Sequence, residues 1–491
     1  MKISEYFNLN RKQNELDFVD IDYENDMPLF LDPYFLSIRE DRWSQQANAT
    51  LENFFQYTLA QFKNGDIEEA RRNFRFTEPY ETCLGLSKTG VKGKSIGDDD
   101  ASELFQYILD SNALDDGLIS SVKEIKIFVD NISHDKISDL CTNVIRKHLI
   151  EYTKSQCELY GIKLENGIAT REYWDPENLE WTASYEEMLV INDKPILLVP
   201  KSIVCRKRGY YYDSEQYARH FVLNFLVSEE SRLNTSLVKR KKLKSGEIKT
   251  SVVKEEVAKK YNAYSKGYLR KFTKQHPAFF ESFKASAKRK VSSLSNEDIL
   301  ENYSDEFYLD IIDRLITGFS EINPGTAEAN KFHNQIIACM NFLFYPSLTN
   351  PVKEKEINQG RKRIDLSYNN AAEEGFFFNL QTVKDIPSAY IFVECKNYTK
   401  DVANPELDQL NGRFSPNRGK VGFMVFRTCS NEEVLFQRCA DYYRDNKNLI
   451  LPLQDKDFIS ILSKMKEDIF ERTNRPQESF LNELAQKVIL S

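Results

Sequence analysis

Two short apolar runs in the last quarter of the chain constrain its fold most. Ala389-Tyr-Ile-Phe-Val393 leads into Glu394-Cys-Lys396, and Lys420-Val-Gly-Phe-Met-Val-Phe-Arg427 follows after a helical stretch. β-branched and aromatic residues in runs this short, with charge only at the ends, predict strands buried in a sheet. Side chains alternate across a strand, so Glu394 and Lys396 project from one face and Cys395 from the other. Upstream, Arg363-Ile-Asp365-Leu-Ser-Tyr368 reads as a neighbouring strand carrying an acidic residue. Two carboxylates and a lysine brought together suit metal-assisted hydrolysis of a phosphodiester. Carboxylates hold Mg²⁺, the metal polarises the phosphate and activates a water, and the lysine steadies developing negative charge. A Glu-x-Lys tripeptide alone is common, and its bland alternative is an ion pair at a strand end.

The order of elements extends the pattern. Pro324-Gly-Thr326 predicts the start of a helix over 327–344. Strands are predicted over 352–357, 363–368 and 389–396, a helix over 405–414, and a further strand over 420–427. With Asp365 on the second strand and Glu394-x-Lys396 on the third, residues 321–460 resemble the PD-(D/E)XK, or restriction-endonuclease-like, nuclease superfamily. That resemblance implies an αβββαβ core, Mg²⁺ (with Mn²⁺ able to substitute) held by Asp365 and Glu394, and Lys396 as the catalytic lysine. Many members add a glutamate from the first helix. Glu328 stands there, and an acidic residue in a first helical turn is equally what the macrodipole favours. Gln409 matches a glutamine that some members carry on the helix after the third strand. RecB-like members place a tyrosine four residues later, where this chain has Arg413, and Ile364 replaces the proline before Asp365.

The resemblance also implies the reaction and its setting. In-line hydrolysis of DNA would leave a 5′-phosphate and a 3′-hydroxyl, with RNA as an alternative substrate. A long region ahead of the nuclease fold resembles bacterial restriction and anti-phage effectors. A repair or recombination nuclease acting on ends or flaps is the alternative, as is a non-catalytic nucleic-acid-binding module that kept the fold. Arg361, Lys362, Arg363, Lys400, Arg413, Arg418 and Lys420 are expected to add positive charge near the site for the phosphate backbone, a solvated basic rim being the bland alternative for each.

Charge is unevenly distributed. Residues 238–290 carry 17 Lys and Arg against 4 Asp and Glu, a local +13 that leaves −21 elsewhere in a chain of net charge −8. Segregation of this kind is compatible with nucleic-acid binding despite the acidic total. Lys239, Arg240, Lys241 and Lys242 form the densest cluster and are candidate nucleic-acid contacts. Aromatics are interleaved at Tyr261, Tyr264, Tyr268, Phe272, Phe279, Phe280 and Phe283. Such a mixture suits phosphates and unpaired bases. The helical spacing of Tyr261, Tyr264, Tyr268 and Phe272 favours for these rings an amphipathic helix with its aromatics inside. Tyr210-Tyr-Tyr212 is likewise either a stacking platform or a core feature.

The overall fold class is α/β, or α+β taken as a whole. A mixed α/β sensor or recognition region over 1–200 precedes a basic, mainly helical region over 201–320 and the nuclease-like domain with a helical tail over 321–491. No apolar run reaches membrane-spanning length and the first residues lack the apolar core of a signal peptide. The eight cysteines include no Cys-x-x-Cys pair. A cytoplasmic protein with reduced thiols and no membrane partner is expected. Assembly as a homo-oligomer or with a partner subunit stays open. A phosphate-loop-like stretch, Thr89 to Ser95, has Lys88 where the pattern requires glycine.

Overall fold

Two hydrophobic cores organise the chain, and their membership follows which faces of the helices are apolar. The computed structural model describes residues 1–85, 98–206, 212–242, 248–290, 293–300, 304–353, 366–469 and 475–491. Asp365, Arg361, Lys362, Arg363 and the stretch Thr89 to Ser95 lie outside the described residues. The first core gathers buried side chains from Ile3 to Ile299, and the second gathers Ile311 to Val488 together with Leu159.

The first core runs across position 200. Phe18, Leu31 and Ile150 share it with Tyr217, Phe272 and Phe283, so the acidic and basic regions pack as one unit. The basic helices Lys254–Tyr261, Lys266–Gln275 and Pro277–Lys290 turn their rings inward. Phe272, Phe280 and Phe283 are buried, as is Tyr212, which stacks between Tyr34 and Phe283 at ring separations of 4.2 and 5.2 Å. These rings are therefore closed to bases. Several of the cations meet acidic residues of the first unit: Arg270 with Asp130 at 3.3 Å, Lys274 with Asp116 at 2.6 Å and Lys260 with the buried Glu230 at 2.5 Å. The Lys239–Lys242 cluster is not helical. It forms strand β1 (Val238–Lys242), paired antiparallel with β2 (Ile248–Val252).

Helix α1 (Arg146–Tyr160) belongs to the first unit but places Leu159 in the second core. Helix α2 (Asp305–Ser320), which falls in the expected middle region, packs into the second core through Ile311, Ile312, Leu315 and Phe319. Helix α3 (Ala329–Phe344) follows, entered by a 3₁₀ turn at Thr326–Glu328.

The second unit is built on a mixed five-stranded sheet. Its strands are β3 (Leu348–Lys353), β4 (Leu366–Asn370), β5 (Tyr390–Lys396), β6 (Val421–Phe426) and β7 (Leu449–Gln454), in that spatial order. The pairs β3–β4 and β4–β5 are antiparallel, whereas β5–β6 and β6–β7 are parallel. Parallel neighbours need crossovers. Helix α4 (Asn404–Asn411) connects β5 to β6, and α5 (Glu432–Asn446) connects β6 to β7. Every residue of β6 and β7 is buried, the continuous apolar signature of strands covered on both faces. The strand predicted over 352–357 begins earlier, at Leu348, and the fifth strand and the helix Gly375–Thr382 between β4 and β5 are additions.

The first unit covers the exposed edge of the sheet. Strand β3 bulges between Thr349 and Val352, with Asn350 at φ +51°. The freed Asn350 N–H donates to the buried Asp17 carboxylate at 3.0 Å, and the Pro351 carbonyl accepts from Gln156 at 3.1 Å. A sheet edge would otherwise template pairing with another chain. Asn341 on α3 adds a bond to the Glu15 carbonyl at 2.9 Å and accepts one from Tyr368 at 3.0 Å.

Candidate active site

Strand β5 carries the site because its apolar half is locked into the sheet while its last residues emerge at the edge of the core. Ile391, Phe392 and Val393 are buried, and the register Glu394↔Met424 and Lys396↔Phe426 holds the polar end beside β6. Glu394 and Lys396 share a face, as alternation requires. Lys396 Nζ donates to Glu394 Oε1 at 2.6 Å and to Gln409 Oε1 on α4 at 3.3 Å. Cys395 points to the opposite face, where it lines a 360 Å³ cavity with Ala329, Asn330 and His333 of α3.

Arg413, just past α4, donates Nη1 to Glu394 Oε2. Glu394 is fully buried and Arg413 is 1% exposed. A carboxylate taken out of water needs partners on both oxygens, and here each oxygen has a cation. Arg413 is thus drawn into the site and away from the phosphate-facing rim where sequence reasoning put it. Arg418 and Lys420 are also displaced from that rim. They precede β6 at the Tyr390 end of the strands, with Arg418 bonded to Ser415 and Lys420 to the Asn446 carbonyl. Lys396 lies at the other end, about five residues or roughly 17 Å along a strand.

Glu328 is not brought onto Glu394 by any described contact. Its carboxylate accepts from the Asn323 N–H at 2.5 Å and from Lys331 at 2.7 Å, and the Lys331 bond in particular holds its pKa below the usual range. The first turn of α3 faces Cys395, the other side of β5. Sequence reasoning missed Asn397, which ties that turn to the strand end. Its amide donates to the carbonyls of Asn323 at 2.9 Å and Gly325 at 2.8 Å, and its own carbonyl accepts from Gly325 N–H at 2.7 Å. The available signal was a buried-type amide immediately following Glu-x-Lys.

The opposite end of β5 is held by a close approach. Gly419 precedes β6 at φ +138°, and a Cβ there would lie 2.5 Å from the Tyr390 carbonyl oxygen. Glycine alone lets the turn before β6 reach the start of β5, whose Tyr390 N–H donates to the Arg418 carbonyl at 2.9 Å. Strand β4 sits on the other side of β5, with Leu366 opposite Val393. Asp365 is the covalent neighbour of Leu366, as Glu394 is of Val393.

A divalent metal at this site would depend on the donor chemistry of its residues. Mg²⁺ takes oxygen ligands, commonly one or two carboxylates completed by water and substrate phosphate. Glu394 supplies one such carboxylate in a low-dielectric site, and the residue next to Leu366 is an aspartate. No cluster of three His, Cys, Asp or Glu side chains occurs among the described residues. Glu394 and Asp365 are of the right donor type to hold Mg²⁺, and an ion would reach Glu394 only by displacing Lys396 or Arg413 from one of its oxygens.

A family match covers part of the chain. Residues 8–211 fit DUF8370, described as a domain of unknown function, which lies within the first unit and does not reach the sheet. No curated protein and no solved structure matches the chain. No helix among the described residues is long and apolar enough to cross a membrane.

Proposed function

We propose that the second unit is a restriction-endonuclease-like nuclease domain that hydrolyses DNA phosphodiester bonds. The observation that carries this reading is the convergence of Glu394, Lys396 and Gln409 at the emerging end of a central strand. The element order helix, two antiparallel strands, an added helix, a third antiparallel strand, helix and parallel strand supports it. Mg²⁺ or Mn²⁺, held by Glu394 and Asp365, would polarise a phosphoryl oxygen and lower the pKa of a bound water. Lys396, positioned by Glu394 and Gln409, presents its ammonium to the developing negative charge. Gln409 keeps the lysine aimed along the sheet face. Arg413 neutralises Glu394 and fixes its rotamer. Glu328 is left outside the ligand set because the first turn of α3, which it precedes, faces Cys395 on the side of β5 opposite Glu394. The first unit, grafted on the sheet edge, would supply recognition or a trigger, the arrangement of a restriction or anti-phage defence effector.

The test is cleavage of supercoiled plasmid by wild type and Lys396→Ala with Mg²⁺, Mn²⁺ or EDTA. Nicking or linearisation by wild type alone, abolished by EDTA, is the expected result. Equal cutting by both proteins would remove Lys396 from the chemistry. Cutting of ends or flaps but not of closed circles would assign a repair-type nuclease instead.

A further inference from the structure

The ribbon formed by β1 and β2 is charged in a way that folding does not account for. Its described strands carry Lys239, Arg240, Lys241, Lys242 and Lys249 and no acidic residue. The register pairs Lys239 with Ser251, Arg240 with Thr250 and Lys241 with Lys249. Directly opposed residues share a face and alternate residues return to it, so Lys239, Lys241 and Lys249 line one face. All three are exposed. Like charges directly opposite each other destabilise a hairpin, and a lone two-stranded hairpin is marginal in water. Lys241 and Lys249 form no ion pair among the described residues, and Lys239 has an exposed one to Glu256 at 2.5 Å. In the neighbouring helices, by contrast, Lys260, Arg270 and Lys274 are engaged by the acidic residues of the first unit.

The ribbon is also well mounted. Leu237 and Val252 at its base pack on the first core, and Lys254 just beyond it donates to Asn224 at 2.6 Å. Five residues per strand give about 17 Å of doubly stranded backbone. The B-form major groove, about 12 Å wide, admits a two-stranded β-ribbon, whereas the A-form groove of duplex RNA is too deep and narrow. Single strands are gripped by stacking on aromatic side chains, and neither described strand carries an aromatic residue.

We propose that the β1–β2 ribbon is a duplex-DNA contact that lies in the major groove with Lys239, Lys241 and Lys249 against phosphates. This deepens the nuclease reading by naming its substrate as double-stranded B-form DNA, and it rests on that reading only for the choice of DNA.

Binding can be measured without cleavage. Full-length Lys396→Ala protein is titrated in EDTA onto fluorescent duplex DNA, single-stranded DNA and duplex RNA across a salt series. The same is done after adding Lys239→Gln, Lys241→Gln and Lys249→Gln together, with unfolding midpoints showing that the fold is kept. Each phosphate contact contributes about 0.9 to the slope of log affinity against log salt. The triple change is expected to lower that slope by about 2–3 and to weaken duplex DNA about 10- to 100-fold, leaving the other two ligands little changed. Unchanged duplex affinity and slope would overturn the proposal, as would equal losses on single strands or tighter binding of duplex RNA. Ribbon-dependent binding by a protein that never cuts would refute the nuclease reading alone. Cutting by a protein whose duplex affinity ignores the three lysines would refute the ribbon alone.

Discussion

The Arg413 guanidinium rests on Glu394 Oε2 with both side chains out of solvent, while Lys396 holds Oε1. The carboxylate is therefore oriented from two directions before any ligand arrives. Arg413→Met leaves Oε2 buried without its donor, a change that costs about 3 kcal/mol when a buried pair is broken. Urea unfolding should show that loss. Arg413→Lys restores the charge without the planar fork and should recover only part of it.

Lys396 is less structural. It is mostly buried, yet its removal leaves Glu394 with Arg413. Lys396→Ala should lower stability by about 1 kcal/mol and reduce metal-dependent DNA cleavage by at least about 10²-fold. A cleavage rate within threefold of wild type would contradict the assignment. Asp365→Ala should weaken Mg²⁺ binding as well as cleavage, which isothermal titration would detect.

Gly419 tests the backbone that positions β5. A Cβ there would meet the Tyr390 carbonyl, which is main chain and has little freedom to move. The positive φ adds strain for any other residue. Gly419→Ala should cost about 2 kcal/mol or more of unfolding free energy, read from urea titration.

Lys201 gives the first unit a pH signature. It is fully buried, with Nζ 2.8 Å from Asn296 Oδ1 and 3.9 Å from the centre of the Tyr345 ring. Burial pulls its pKa down to about 7 from an ordinary 10.5, although Asp17 opposes the shift. Between those values the unfolded chain binds more protons than the native one, so this group makes stability rise with pH across that window. Below pH 7 both states are protonated, and the cost of burying the charge is present in full. Lys201→Met should flatten the rise between pH 7 and 10, read from urea unfolding as a function of pH.

Much of the second unit was legible because it depends on local pattern. The apolar run before Glu394 names a central strand, and alternation alone puts Glu394 and Lys396 on one face. Gln409 came from the family resemblance, which implies a glutamine on the helix after this strand. Arg413 was visible as a position but not as a partner, because nothing local says that a residue nineteen places on folds back onto Glu394. The Lys239–Lys242 cluster was misplaced for a related reason. A run of lysines has no periodicity of its own, and only pairing with Ile248–Val252 makes it a strand.

By itself the sequence determined the strand carrying the Glu-x-Lys pair, the strand after it and the segregation of positive charge. These follow from hydrophobic periodicity, which acts over a few residues. Tertiary structure alone decided that the acidic and basic regions share one core and that Asp17 and Gln156 cap the sheet edge. It also decided that Glu328 turns to Lys331 and Asn323, while Arg413 turns to Glu394. Those choices depend on which buried charge needs which partner, a requirement that exists only once distant segments have excluded water together.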